Sequence, residues 1–403
     1  MAILVLGAGG MQGRAILHDL SRCEEVSRII AADLNITALQ EYLKSLSSDK
    51  IRGVEVDASD ESSVSELMNI AGEVVIDALP LQFSASMARL AVKNNVNLVS
   101  INYLLDPAET NPSKILSAKE ELHHLDLEAQ AKGVTILPEF GLDPGIDLVF
   151  CGQAVRELDE IHELYSYGAG FPEPQAANNP LKYKITWSFD NVLRSYCRPA
   201  RILQHGHIVE IPAEEIFAPR NTHVVNLEGL GHLEAFPNGD AVKYAEILGI
   251  RNTVKTMGRF VLRWPGHCEF WKKLVDLHFL DDKPIQVGAS FVIPREFLCS
   301  LLKPQLQYAE NERDIAVIRV DARGVKDSEK KRIIYQVIDR RDLATGFTAM
   351  SRTTGYTASI GAQMILRGDI EKPGILSPAK DVPFETFINE LQKRNIHVDR
   401  FVL

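Results

Sequence analysis

At 403 residues the chain exceeds one ordinary core, so two domains are expected, and its 45% hydrophobic and 24% charged content allows substantial cores without a disorder signature. An excess of 54 acidic over 44 basic side chains, net charge -10, disfavours a nonspecific grip on nucleic acid. Five scattered cysteines without a C-x-x-C pair exclude a disulfide framework or thiolate zinc site and fit a reduced cytoplasm.

The chain opens on Ala2-Ile3-Leu4-Val5-Leu6 with no basic leader, and no later run approaches about 18 uninterrupted apolar residues, so neither secretion nor membrane insertion is expected. Short apolar runs at 3–6, 29–32, 53–56, 74–79, 98–101 and 134–137 read as buried strands. The stretches 14–20, 37–46, 63–70, 86–93 and 116–131 carry helical spacing between them. This alternation predicts an α/β fold with a doubly wound parallel sheet. After Gly141-Leu142-Asp143-Pro144-Gly145 the rhythm changes, with strand-like runs at 185–189, 260–264, 315–320 and 333–338 that suggest an α+β second domain. The tail from Ser351 to Arg367 reads as a helix.

The segment Gly7-Ala8-Gly9-Gly10-Met11-Gln12-Gly13 follows the first strand and opens the first helix. Glycines there permit a tight turn and close approach of a pyrophosphate, and the helix N-terminus offers N–H groups to it. Gly7, Gly9, Gly10 and Met11 are therefore candidate cofactor contacts. Asp33 ends the second strand, about 20 residues on, where a carboxylate would bind both adenosine ribose hydroxyls and repel a 2′-phosphate. With no Arg or Lys in Leu34-Asn35-Ile36, NAD is expected in preference to NADP. Asp57 after the third strand is placed near the adenine edge, and Ala78, Leu79 and Pro80 where the ring side of a dinucleotide passes the sheet. His123, His124, His205 and His207 lack further ligands at suitable spacing, and no metal site is expected.

Asp143 sits in a rigid turn where the sheet domain hands over to the second domain. Four motifs accompany it: Ser166-Tyr167-Gly168-Ala169-Gly170-Phe171-Pro172; Asn178-Asn179-Pro180-Leu181-Lys182-Tyr183-Lys184 with Trp187-Ser188; Phe236-Pro237-Asn238-Gly239-Asp240 with Tyr244-Ala245-Glu246; and Gly355-Tyr356 with Gly368-Asp369-Ile370. With these the chain resembles, essentially end to end, the glutamate-forming saccharopine dehydrogenases. The resemblance implies a Rossmann domain over 1–143 completed by about 351–403, a substrate and dimerisation domain over 144–350, and a late helix returning to the first domain. It implies oxidation of a secondary amine in an amino-acid substrate by a homodimer, while the charge and hydropathy already argue against a nucleic-acid or membrane partner.

Carried over by motif, Asp143 contacts the substrate amine or relays its proton. Tyr103, Gly168, Ala169 and Trp187 line the pocket with Asn238 and Asp240 nearby, and Lys184 attracts a substrate carboxylate. Two departures stand out. Gly239 replaces the Arg of the family's Pro-Asn-Arg-Asp, so a dicarboxylate substrate needs another cation. The stretch 264–315 is also shorter than the helical insertion some relatives carry. A lysine 6-dehydrogenase, favoured by Gly239, is the rival enzyme reading, followed by a carboxynorspermidine-type dehydrogenase; a non-catalytic NAD-binding sensor is the rival from another class.

Overall fold

The computed structural model describes residues 1–403, which divide into two compact units: 1–152 with 351–397, and 153–350 with 398–403. No helix is long and apolar enough to cross a membrane.

In the first unit, strands β1 (Ala2–Leu6), β2 (Arg28–Asp33), β3 (Ile51–Glu55), β4 (Val74–Asp77), β5 (Asn97–Ser100) and β6 (Thr135–Leu137) alternate with α1 (Met11–Arg22), α2 (Ile36–Leu46), α3 (Glu61–Ala71), α4 (Ser84–Lys93) and α5 (Pro112–Lys132). All neighbouring pairs are parallel, in the order β3-β2-β1-β4-β5-β6, with the short strand Gly374–Ile375 beyond β6. Helices on both faces explain why β1 and β4 are almost uninterrupted apolar runs, fully buried from Ile3 to Leu6 and from Val74 to Asp77. The order reverses between β1 and β4, the switch point at which open α/β sheets bind ligands. The expected doubly wound sheet is therefore present.

Helix α6 (Ile146–Glu157) follows the Asp143 turn, and the late helix Ala349–Arg367 runs back along α1, as the resemblance implied. A Cβ on Gly355 would stand 2.8 Å from Ala15 Cβ and 2.9 Å from Gln12 O, so glycine lets the two helices touch. Asp19 on α1 seals this packing by accepting from Ser359 Oγ at 2.6 Å and Arg394 Nε at 2.7 Å.

The second unit carries a nine-stranded mixed sheet. Its strands are β7 (Glu160–Pro172), β8 (Ala200–Gln204), β9 (His207–Ile211), β10 (His223–Leu227), β11 (Gly231–Pro237), β12 (Thr256–Arg263), and further along β15 (Asp314–Lys326), β16 (Glu329–Arg340) and the terminal strand Asp399–Val402. Between β12 and β15 a separate hairpin forms from β13 (Ile285–Val287) and β14 (Ser290–Val292). Strand β7 lies at the centre, parallel to β12 and antiparallel to β15. The helices are α7 (Phe189–Ser195), α8 (Ala241–Ile247), α9 (His267–Asp276) and α10 (Pro294–Leu302).

The expected strands at 260–264, 315–320 and 333–338 fall in β12, β15 and β16, but 185–189 is not a strand. Ser188 there caps α7 by accepting from Asn191 N–H at 3.4 Å, so the alternating Ile185, Trp187 and Phe189 lead into a helix. The units also part at 152–153 rather than at 143–144. Gly152 packs against the first unit so tightly that a Cβ would come 1.8 Å from Ala379 O. The last six residues belong with the second unit, because Asp399–Val402 pairs with β16.

Candidate active site

The glycine segment leaves β1 and turns at Gly7, whose φ of +73° puts the backbone beside β4. A Cβ on Gly7 would be 2.6 Å from Ala78 O. The turn closes through Gly10 N–H to Gly7 O at 3.1 Å, while Ala8 N–H donates to Ala32 O and Ala78 N–H to Leu6 O, each at 3.1 Å. Gly13 is the close-packing glycine, since a Cβ there would stand 2.2 Å from Gly7 O. Helix α1 begins at Met11 without a side-chain cap, whereas α2, α3 and α5 are capped by Asn35, Asp60 and Asn111. Its first-turn N–H groups are thus left for an anion, and the turn has the backbone room that a dinucleotide pyrophosphate needs. These residues fit the expected cofactor cradle; Gly10 and Met11 are exposed at its rim.

Asp33 is engaged with the loop itself. Its Oδ2 accepts from Gly9 N–H at 2.8 Å and its Oδ1 from Asn35 N–H at 2.9 Å. Arg14 joins the same turn, donating from Nε to Gly9 O at 2.9 Å with its guanidinium 5.1 Å from the Tyr42 ring centre. Asp57 is exposed, and hydrogen bonds from Ser59 N–H at 2.8 Å and Ser59 Oγ at 2.7 Å hold its carboxyl below the usual range. At the end of β4, burial pushes Asp77 up, against hydrogen bonds from Ser100 Oγ (2.7 Å), Leu79 N–H (3.0 Å) and Ser84 Oγ (3.0 Å). Asn102 Nδ2 donates to Leu79 O at 2.8 Å. Asp77 thereby fixes the Ala78-Leu79-Pro80 edge of the cradle. Neither Ser100 nor Asn102 stood out in the sequence, and small polar residues just after a buried strand were the available signal.

Asp143 occupies a turn closed on itself. Gly141 N–H donates to Pro144 O at 2.9 Å and Ile146 N–H to Gly141 O at 3.0 Å; buried Asp147 Oδ1 accepts from Gly145 N–H at 2.8 Å. A Cβ on Gly145 would lie 2.0 Å from Gly141 O, so glycine is obligatory there. The Asp143 side chain remains partly exposed on this fixed frame, as does Tyr103 after β5.

In the second unit, Gly168 and Ala169 sit mid-strand in β7, opposite Ile318 and Val317 of β15. Trp187 is partly buried against the cluster around Phe189 and Tyr196. Lys184 does not offer a free charge. Buried beside the Tyr308 ring, its Nζ pairs with Glu312 Oε2 at 2.5 Å, so its ammonium is matched within the protein and is a structural ion pair.

Asp240 is likewise structural in part: Oδ1 caps α8 through Lys243 N–H at 3.1 Å and Oδ2 accepts from Arg201 Nη1 at 2.8 Å. Asn238 N–H donates to Arg259 O at 2.8 Å. Arg259, which sequence reasoning missed, is buried with its guanidinium 4.7 Å from the Tyr244 ring centre. Its Nη1 lies 4.0 Å from where a Cβ on Gly239 would stand, so a guanidinium already occupies the neighbourhood of the missing arginine. The sequence signal was a charged residue inside the otherwise uncharged run Met257-Gly258-Arg259-Phe260-Val261-Leu262.

Comparison with known proteins gives a consistent result. Residues 3–137 match the saccharopine dehydrogenase NADP binding domain, and 141–396 the saccharopine dehydrogenase C-terminal domain. The Saccharomyces cerevisiae saccharopine dehydrogenase [NADP(+), L-glutamate-forming] is 25% identical over 97% of this chain and 97% of its own length. The mouse mitochondrial alpha-aminoadipic semialdehyde synthase is 26% identical over 93% of this chain, which spans only 45% of that longer protein. The apo structure of the Saccharomyces cerevisiae enzyme superposes with a TM-score of 0.83 at 23% identity, covering 100% of this chain and 99% of that one.

These matches correct the cofactor expectation. The matched N-terminal domain is an NADP binding domain and the yeast relative is named for NADP(+), which overturns the preference for NAD. The physical reason lies at Asp33: a carboxylate there would select NAD by accepting from the ribose and repelling a 2′-phosphate only if it stood clear of the loop, and both of its oxygens hold backbone N–H groups of that loop.

Proposed function

The chain belongs to the saccharopine dehydrogenase family of oxidoreductases, and from that premise we propose that it is an NADP-dependent enzyme of lysine metabolism acting on the CH–NH group of saccharopine. In the reaction, saccharopine, NADP and water give glutamate, aminoadipate semialdehyde, NADPH and a proton. The observation that carries this reading is Asp143, held partly exposed by a self-closed turn in the same unit as the dinucleotide cradle.

A protonated amine has no lone pair to support loss of hydride from its carbon, so the substrate nitrogen must first give up a proton. Asp143 holds the ammonium and takes part in that proton loss. Bound NADP would supply the hydride acceptor. Water then hydrolyses the substrate imine. Gly7, Gly9, Gly10 and the N-terminus of α1 would hold the pyrophosphate, and Arg14 would meet the 2′-phosphate. In the first unit Tyr103 is assigned to the substrate with Asp143; in the second unit, taken by itself, Gly168, Ala169, Trp187 and Asn238 are the assigned substrate residues, and Arg259 is the cation available to a carboxylate in place of the arginine that Gly239 replaces. We assign the enzyme to the cytoplasm as a homodimer.

The second reading is oxidation of free lysine at its ε-amine, favoured by Gly239, because such a substrate brings no glutamyl carboxylates. NADPH formation with saccharopine and with lysine separates the two. Saccharopine turnover that falls roughly a hundredfold in Asp143→Asn, at unchanged NADPH affinity, is expected. Faster turnover of lysine moves the assignment to the second reading, and wild-type rates in Asp143→Asn remove the residue from the chemistry.

A further inference from the structure

A polar atom buried without a hydrogen-bond partner is rare in a native protein, and each one calls for an explanation. In the second unit several such atoms belong to one neighbourhood: the hydroxyls of Tyr183, Thr186 and Tyr308 and Nε of Arg263. The Arg263 guanidinium lies 5.3 Å from the Tyr183 ring centre. Thr186 is near enough to act on the Tyr183 hydroxyl, and the Tyr308 hydroxyl feels both Tyr183 and Arg263, yet no hydrogen bond closes among them.

Arg263 is the costly member of this group. It ends β12 at 6% exposure, and its side chain donates a single hydrogen bond, from Nη1 to Leu262 O at 2.8 Å, and forms no ion pair. A buried charge without a counter-charge is strongly unfavourable. The carboxylates around it are engaged elsewhere. Glu234, opposite Arg263 on β11, accepts from Gly266 N–H at 2.9 Å and Cys268 N–H at 2.8 Å. Asp314 accepts from Ala349 N–H at 2.7 Å and Met350 N–H at 3.2 Å, and Glu312 is matched by Lys184. The register places the group on the substrate side of the sheet. Strand β12 runs parallel to β7 with Val261 opposite Gly168, so Arg259, Val261 and Arg263 share the face that carries Gly168 and Gly170. Thr186 reaches this face because position 170 is glycine: a Cβ there would stand 2.9 Å from Thr186 Oγ1.

We propose that Arg263, with the hydroxyls of Tyr183, Thr186 and Tyr308, binds a carboxylate of the amino-acid substrate, at the other end from the one that Arg259 meets. This deepens the proposed function and rests on its assignment of an amino-acid substrate. The class of ligand follows from what the site lacks. Water or a neutral group would satisfy the hydroxyls and leave the guanidinium unmatched, whereas a carboxylate answers both, taking the planar N–H fork and the O–H donors on its two oxygens. Arg259 and Arg263 stand four residues apart on one strand, roughly 13 Å. An extended amine with a carboxylate at each end fits that separation, and a substrate with a single carboxylate would use one of the two cations.

Hydroxyls that serve a ligand and nothing in the fold can be removed without loss of stability, and that gives the test. Binding of saccharopine, and in parallel of lysine, is measured by isothermal titration calorimetry on the full chain with NADPH present, which cannot turn either over. The Thr186→Val/Tyr308→Phe double variant should keep the wild-type urea midpoint or exceed it, and bind saccharopine roughly tenfold more weakly. Arg263→Met should bind it roughly a hundredfold more weakly. A wild type that binds neither amino acid overturns the functional reading and this site with it. A double variant that binds as wild type does overturns the site alone, and a fall in its urea midpoint alongside unchanged binding would assign the hydroxyls to internal water.

Discussion

Gly7 in the first unit and Gly239 in the second adopt nearly the same left-handed backbone, φ +73° and +67°, yet they are glycine for different reasons. At Gly7 the missing side chain is a steric necessity, because a Cβ would press on Ala78 O at 2.6 Å and Ala78 C at 2.9 Å. At Gly239 the space is open, and a Cβ would meet only Arg259 Nη1 at 4.0 Å. The first turn is shaped so that backbone can lie against a ligand, and its neighbours cannot yield. The second is a corner whose glycine serves the chain's direction and leaves room for a guanidinium that arrives from β12. A glycine at a site is thus informative only together with what stands where its Cβ would be.

The sharpest break in this comparison is alanine at Gly7. A non-glycine residue in the left-handed region costs about 1 kcal/mol, and forcing a methyl onto the end of β4 adds roughly 1–3 kcal/mol of overpacking. Gly7→Ala should therefore lose about 2–4 kcal/mol in urea denaturation and bind NADPH poorly wherever it remains folded. A loss no larger than about 1 kcal/mol would mean that Ala78 can retreat, and that the two glycines are equivalent after all.

The next effect separates the cations that attend the two turns. Arg14 touches the cradle by donating to Gly9 O, and we assign its remaining N–H groups to the 2′-phosphate. Arg14→Ala should weaken NADPH binding about tenfold, the scale of one charge-assisted contact, and leave NADH binding near wild type when both are titrated by fluorescence. Equal weakening of the two would show that Arg14 acts by bracing Gly9 and has no part in choosing the cofactor.

The first unit was largely legible because its signals are local. Ile3 to Leu6 is an apolar run that must be buried on both faces, the glycines follow at once, and Asn35 and Asp60 start helices within three residues of themselves. What misled was a long-range partnership. Asp33 stands where a ribose acceptor would stand, but its partner Gly9 lies 24 residues away, and no spacing rule reports that bond. Lys184 is a second such case, its charge being matched by Glu312 128 residues later. In the second unit the period-two pattern of Ile185, Trp187 and Phe189 imitated a strand, while Ser188 within it was the cap of α7. Short strands such as β9 and β10, each with several exposed positions, carried too little apolar signal to be seen.

The smallest effect should come from Gly239 itself. Alanine there meets no backbone, so the cost reduces to the left-handed conformation, about 1 kcal/mol, because Arg201 N–H to Gly239 O at 2.9 Å and the Asp240 cap of α8 do not require the glycine hydrogen. Gly239→Ala should shift the urea midpoint accordingly with an unchanged slope. Since the new methyl would rest at van der Waals distance from Arg259 Nη1, the KM for a dicarboxylate substrate should rise by no more than a few fold. Arg259→Met, which keeps the apolar stem over Tyr244 and removes the charge, should raise that KM far more. If Gly239→Ala instead costs as much stability as Gly7→Ala, the corner is as crowded as the cradle, and Arg259 lacks the room that its assigned role demands.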